Sequence, residues 1–184
     1  MDLIRNYLKQ NYHLSSYQIA QIIFLFKTLS SELSKIVIMG ILFHNCLGHY
    51  IFALFIMLCL RSITGGLHFY TYIGCLFTSI LYLWSVLFPL SAINLTQYVK
   101  LTLLLVCILS CYMCGPIVSK YRSDFSEHYC KTSKKIVVSF IFFYTLLMYI
   151  IPENSFINTG FWVIILHSLQ LIAAKIRKKG VALK

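Results

Sequence analysis

Arg61, the pair Gly65-Gly66, His68 and Cys75 fall within one short stretch of a chain that is otherwise apolar over long distances. These residue types together can break an amide. A thiolate attacks a carbonyl, while a nearby imidazole first takes the thiol proton and later returns it to the leaving amine. An arginine supplies a fixed positive charge for a carboxylate or a developing oxyanion. Seven residues are two helical turns, so His68 and Cys75 share a helix face but stand about 10.5 Å apart along an ideal axis. Direct contact requires the backbone to leave helical geometry near His68. Gly65-Gly66, just upstream, makes that departure easy. The bland alternative is a snorkelling arginine, a histidine at a loop end and a cysteine packed against lipid.

The surroundings that must position this stretch are membrane-like. Of 184 residues, 59% are hydrophobic and 11% charged, a balance far from that of soluble domains. Uncharged runs cover 36–60, 62–99, 101–119, 136–152 and 154–174. Most reach the roughly 20 residues a helix needs to cross a bilayer, while 62–99 is too long for one crossing and 136–152 is marginal. The fold class is all-α: a polytopic helical membrane protein with N-terminal amphipathic interfacial helices and four to six membrane helices. The net charge of +11 does not point to nucleic acid. Its basic residues gather in the N-terminal segment, in 120–135 and in the tail after Ala174. That is the distribution of cytoplasmic loops and of attraction to anionic lipid. Residues 1–35 lack a continuous apolar core and a cleavage site, so they are not a signal peptide.

Taken in order, residues 1–35 read as two amphipathic helices on the membrane surface, the second opened by a capping box at Ser15 and Gln18. The membrane-embedded domain is 36–184. Within 36–60 the sequence His44-Asn45-Cys46-Leu47-Gly48-His49 allows one kinked helix or two half-helices. Counting backwards from a basic, inside tail puts 120–135 and Arg61 inside and the 89–97 turn outside. With a cytoplasmic N-terminus, that parity favours a re-entrant hairpin at 36–60. Spans follow at 69–88, ended or kinked by Pro89, at 98–115, closed by Gly115-Pro116, and at 135–151 and 157–174.

Other constellations have plainer readings. Cys107, Cys111 and Cys114 have an iron–sulfur-like spacing, but their helix is apolar and a small-residue helix interface accounts for them. His44 and His49 point about 140° apart on a helix, so they do not face one metal or haem. His167 reads as a hydrogen-bonded interior residue, and His128 and Cys130 as parts of a solvated loop. Tyr82, Trp84 and Trp162 suit interfacial belts. No metal site and no cofactor is expected.

The string Arg61-x3-Gly65-Gly66-x-His68-x6-Cys75 resembles the signature of the accessory gene regulator B family, bacterial membrane endopeptidases that mature quorum-sensing peptides. Overall size, the basic amphipathic N-terminus, the apolar spans, the Pro116 turn and the basic loop extend the likeness over most of the chain. The resemblance implies His68 and Cys75 as the catalytic pair, with Arg61, Gly65 and Gly66 orienting substrate or stabilising the oxyanion. Lys120, Lys131, Lys134 and Lys135 would draw in substrate, although the family carries a more compact basic run. It implies a thiol protease of the bacterial plasma membrane, multi-pass, with both termini cytoplasmic, acting as a homodimer. Its substrate would be a short propeptide with an amphipathic leader and an acidic C-terminal tail. Cleavage would leave an acyl-enzyme thioester, which a cysteine or serine of the propeptide converts into a cyclic thiolactone or lactone. The competing reading is a small transporter or channel subunit with a polar path near Arg61 and His68.

Overall fold

The computed structural model describes residues 15–65, 71–117, 126–151 and 154–182, with side chains up to residue 177. All regular structure among the described residues is helical: α1 (Ser16–Leu42), α2 (Leu47–Thr64), α3 (Tyr72–Ser85), α4 (Gln97–Cys114), α5 (Glu127–Ile150) and α6 (Ser155–Ala182). A 3-10 turn at His44–Cys46 precedes α2, and a π turn at Val86–Leu90 extends α3. The chain divides into two compact units, one ending at His44 and the other running from Asn45.

In the first unit, α1 opens as the sequence predicts. The Ser15 hydroxyl accepts from the Gln18 amide at 3.2 Å, and Gln18 Oε1 accepts from Ser15 N at 2.9 Å. The preceding amphipathic segment lies outside the described residues. The helix runs on to Leu42, well into the apolar run that begins at 36. The Lys35 ammonium donates to the Glu32 carboxylate one turn away.

Among the described residues five helices are long and apolar enough to cross a membrane: His44–Thr64, Tyr72–Leu90, Gln97–Cys114, Glu127–Ile150 and Ser155–Arg177. Side-chain caps start three of them. Thr71 accepts from Gly74 N, Ser126 from Tyr129 N, and Asn154 from Phe156 N and Ile157 N. Within the spans, hydroxyls turn back onto the carbonyl four residues earlier, as Thr102 does to Tyr98, Ser110 to Val106 and Ser168 to Ile164. Polar side chains are thereby satisfied where no water is present. Pro89 sits inside the π turn, whose wider coil accommodates a residue with no amide proton.

The post of the second unit is α6. Buried positions make up 56% of its span, against 17–28% in the others. It packs on α2 and α4, and α4 packs in turn on α5. Phe161, Val163, Ile164 and Leu171 are fully enclosed, while Ile73, Phe77 and Leu109 face outward, as lipid-facing residues do.

Three expectations change. The re-entrant hairpin at 36–60 gives way to a break at the 3-10 turn followed by a full-length helix. The N-terminal part of α2 meets the start of α6, where His49 Nε2 lies 3.2 Å from the Ser155 hydroxyl and its ring stacks on Phe156 at 4.2 Å. Its C-terminal end meets α5 and the segment after α4, through Ser133 to Ile63 O and Ile117 N to Thr64 O. The stretch Leu47–Thr64 is thus one hydrophobic helix that runs through Gly48 and satisfies its own backbone, rather than half-helices meeting there. Second, α5 starts at Glu127, so His128, Cys130 and the lysines at 131, 134 and 135 lie on helix rather than loop. Lysine is a good helix former, and the Ser126 cap starts the turn. Third, Tyr82 and Trp162 are interior rather than belt residues, 6% and 8% exposed: Tyr82 bonds to Val163 O of α6, and Trp162 belongs to the enclosed part of α6 itself; Trp84 is exposed.

Candidate active site

The joint after α2 explains how the stretch from Arg61 onward leaves the helix. Gly65 has φ 74 and ψ −151, a conformation that essentially only glycine adopts. A Cβ there would stand 2.4 Å from the Ile117 carbonyl oxygen, so the two chain segments touch backbone to backbone. Ile117 N closes the joint by donating to Thr64 O at 2.9 Å. From the other side, the buried Ser133 hydroxyl donates to Ile63 O at 2.6 Å. The bend that the sequence demands after Arg61 is therefore built by α2, α5 and the Gly115–Ile117 segment together. Gly66, His68 and Lys120 lie outside the described residues.

Beneath the joint is a buried polar pair. Thr64 Oγ1 lies 2.7 Å from Leu60 O, to which it donates, and 2.8 Å from His167 Nε2. With its single proton committed to Leu60, the hydroxyl accepts from Nε2–H, so His167 carries a proton on Nε2. This is the interior, hydrogen-bonded role its sequence position suggests.

A small, half-open cleft lies between α2, α3 and α6. From α2 come Met57 and Arg61, from α3 come Cys75, Thr78, Ser79 and Tyr82, and from α6 comes Gln170. Arg61 and Cys75, two of the residues singled out by type and spacing, thus face one space. Cys75 is reduced and half-buried, in the first turn of α3 where Thr71 caps the helix. A helix N-terminus favours negative charge, so an anion formed near Cys75 meets both the dipole and the Arg61 guanidinium. The α3 residues recur at i, i+3, i+4 and i+7 from Cys75, one helix face turned inward, a signal the sequence already carries. Gln170 was not singled out, though it is a carboxamide inside an apolar run and follows His167 by three residues.

The basic residues gather at the same end of the unit but are not alike. Lys131 pairs with Glu127 at 2.7 Å, fully in the open. Lys134 lies 5.2 Å above the Tyr112 ring, and Lys175 donates to Met113 O at the end of α4. Lys135 is exposed. The cysteines of α4 form an interface with α6, where Cys111 Sγ lies 3.5 Å from the Ser168 hydroxyl. Among the described residues no group of three His, Cys, Asp or Glu could hold a metal.

A comparison with models of protein families matches residues 1–171 to accessory gene regulator B. No curated protein and no solved structure matches the chain.

Proposed function

This chain belongs to the accessory gene regulator B family, multi-pass membrane proteins of a quorum-sensing system that process a propeptide, and on that premise we propose that it is a cysteine endopeptidase acting through Cys75 and His68. The observation that carries the reading is the shared cleft: the sulfur-bearing face of α3 and the Arg61 guanidinium of α2 line one opening. In this reading Cys75 attacks the peptide bond before the C-terminal tail of the propeptide. His68 takes the thiol proton and gives it to the departing amine. The acyl group stays on Cys75 as a thioester until a propeptide cysteine or serine takes it over, closing a thiolactone or lactone. Thioester exchange is nearly isoenergetic, so neither nucleotide nor metal is required.

The glycine joint serves the reaction by ending α2 at Gly65, upstream of His68, before the helix that bears Cys75 begins at Tyr72. Arg61 holds the substrate carboxylate or the charge that develops on the attacked carbonyl. Lys120, Lys131, Lys134 and Lys135 attract the acidic tail, and the basic end of the bundle is cytoplasmic by the positive-inside rule. Five crossings put His44 and the tail on opposite sides, so a cytoplasmic N-terminus requires one more crossing before His44. The working form is a homodimer in the plasma membrane.

The test is cleavage of the propeptide by reconstituted protein. Cys75→Ser and His68→Ala each lose at least about 10³-fold in rate, with insertion into the membrane unchanged. Retained cleavage in either variant overturns the reading. A transport activity that survives both changes, with no cleavage by the unaltered protein, would favour the channel alternative.

A further inference from the structure

The polar groups lining the cleft separate into those already committed and those not. The Thr78 hydroxyl donates to Gly74 O at 2.8 Å, and the Tyr82 hydroxyl to Val163 O at 2.7 Å. Arg61 and Cys75 also have partners. The Gln170 carboxamide, in contrast, makes no hydrogen bond with any described residue. It lies about two turns from the end of the Ser155–Arg177 span, half-buried, beside the exposed Leu169. Its carboxamide is thus left to bond whatever enters the cleft.

Gln170 reaches the cleft from α6, and Cys75 reaches it from α3. An acyl group on the Cys75 sulfur therefore sits beside the cleft that Gln170 also lines. We propose that Gln170 is an oxyanion donor, its Nε2–H bonding to the oxygen of the carbonyl that Cys75 attacks. This rests on the reading of Cys75 as the nucleophile. In the step concerned, the Sγ–C bond forms and the C=O π pair moves onto oxygen, giving a tetrahedral anion. On collapse the pair returns, the C–N bond breaks, and the amine leaves with the proton held by the imidazolium. The Gln170 proton stays on its nitrogen throughout. A neutral amide bonds more strongly to the anion than to the ground-state carbonyl, so it accelerates acylation rather than merely holding substrate.

Two small probes separate this role from a structural one. A simple phenyl thioester of N-acetylglycine acylates a thiol through an oxyanion, whereas iodoacetamide alkylates it by displacement with none. Both rates at Cys75 are read by peptide mass mapping in full-length protein reconstituted in vesicles. Gln170→Ala and the near-isosteric Gln170→Met, which keeps the length and removes the donor without adding charge, slow acylation about 10²-fold. Alkylation stays within about twofold of the unaltered protein, since thiol reactivity and access are unchanged. Equal loss of both rates, or loss of neither, overturns the proposal. Cys75 acylated no faster than a free peptide thiol in the unaltered protein would instead remove the nucleophile reading beneath it.

Discussion

At the end of the second unit that carries the α5–α6 turn, polar side chains are matched inside the fold. Tyr144 donates to Ile157 O, His49 meets Ser155 and stacks on Phe156, and Gly160 lets Tyr144 and Ile56 close over the α6 backbone. Asn158 Oδ1 and Trp162 Nε1 are the buried exceptions among the described residues. At the opposite end a tyrosine, a histidine and a tight glycine are matched in the same way, but a cleft lies beside them. Tyr82 bonds to α6 and His167 to α2, while Arg61, Cys75 and Gln170 line the opening. The closed end has the construction of a core; the open end has that of a site held rigid from behind.

Paired substitutions break or sharpen that contrast. The largest difference is expected between the two glycines. Gly65→Ala forces an alanine to φ 74 and against the Ile117 carbonyl, displacing the chain that leads to His68; propeptide cleavage falls about 10²-fold. Gly160→Ala overpacks against Tyr144 and Ile56, lowers stability by about 1–3 kcal/mol, and leaves cleavage per folded molecule within about twofold. Thermal melting in detergent, beside a rate per folded molecule, separates the two. Similar losses of rate at both glycines would erase the distinction.

A smaller effect is expected at the pair behind the cleft. Thr64→Val leaves the buried His167 N–H without its acceptor and costs about 1–3 kcal/mol of stability. A double-mutant cycle with His167→Phe returns a coupling of about 0.5–3 kcal/mol; additivity would mean the two groups do not hold each other. Smallest is the rim. Lys131→Ala, whose ammonium already pairs with Glu127 in the open, changes KM for an acidic propeptide by less than about threefold, and salt removes the effect.

Much of this was legible in the residues. Uncharged length gave the membrane class, Ser15 and Gln18 gave the start of α1, and Gly115-Pro116 gave the end of α4. Arg61 and Cys75 were found by their chemistry and meet in one cleft. What stayed hidden depended on neighbours distant in the chain. The partner of Gly65 is Ile117, that of Thr64 is His167, and the helix facing Cys75 carries Gln170, none of which local periodicity relates. The start of α5 was misplaced because lysines resemble a loop in a hydropathy reading, although a capped helix carries them easily. Gly48 does not interrupt α2, because a glycine inside a long apolar helix costs little against the backbone bonds that the helix keeps.

The central claim is that the Cys75 sulfur carries the acyl group of a cleaved propeptide. Brief incubation of reconstituted protein with propeptide, acid quenching and mass mapping of the Cys75 peptide tests it directly. The account predicts an added mass equal to the propeptide without its C-terminal tail, removed by hydroxylamine and absent in Cys75→Ala. Cleaved propeptide with no such adduct at Cys75, or cleavage that continues in Cys75→Ala, would contradict it.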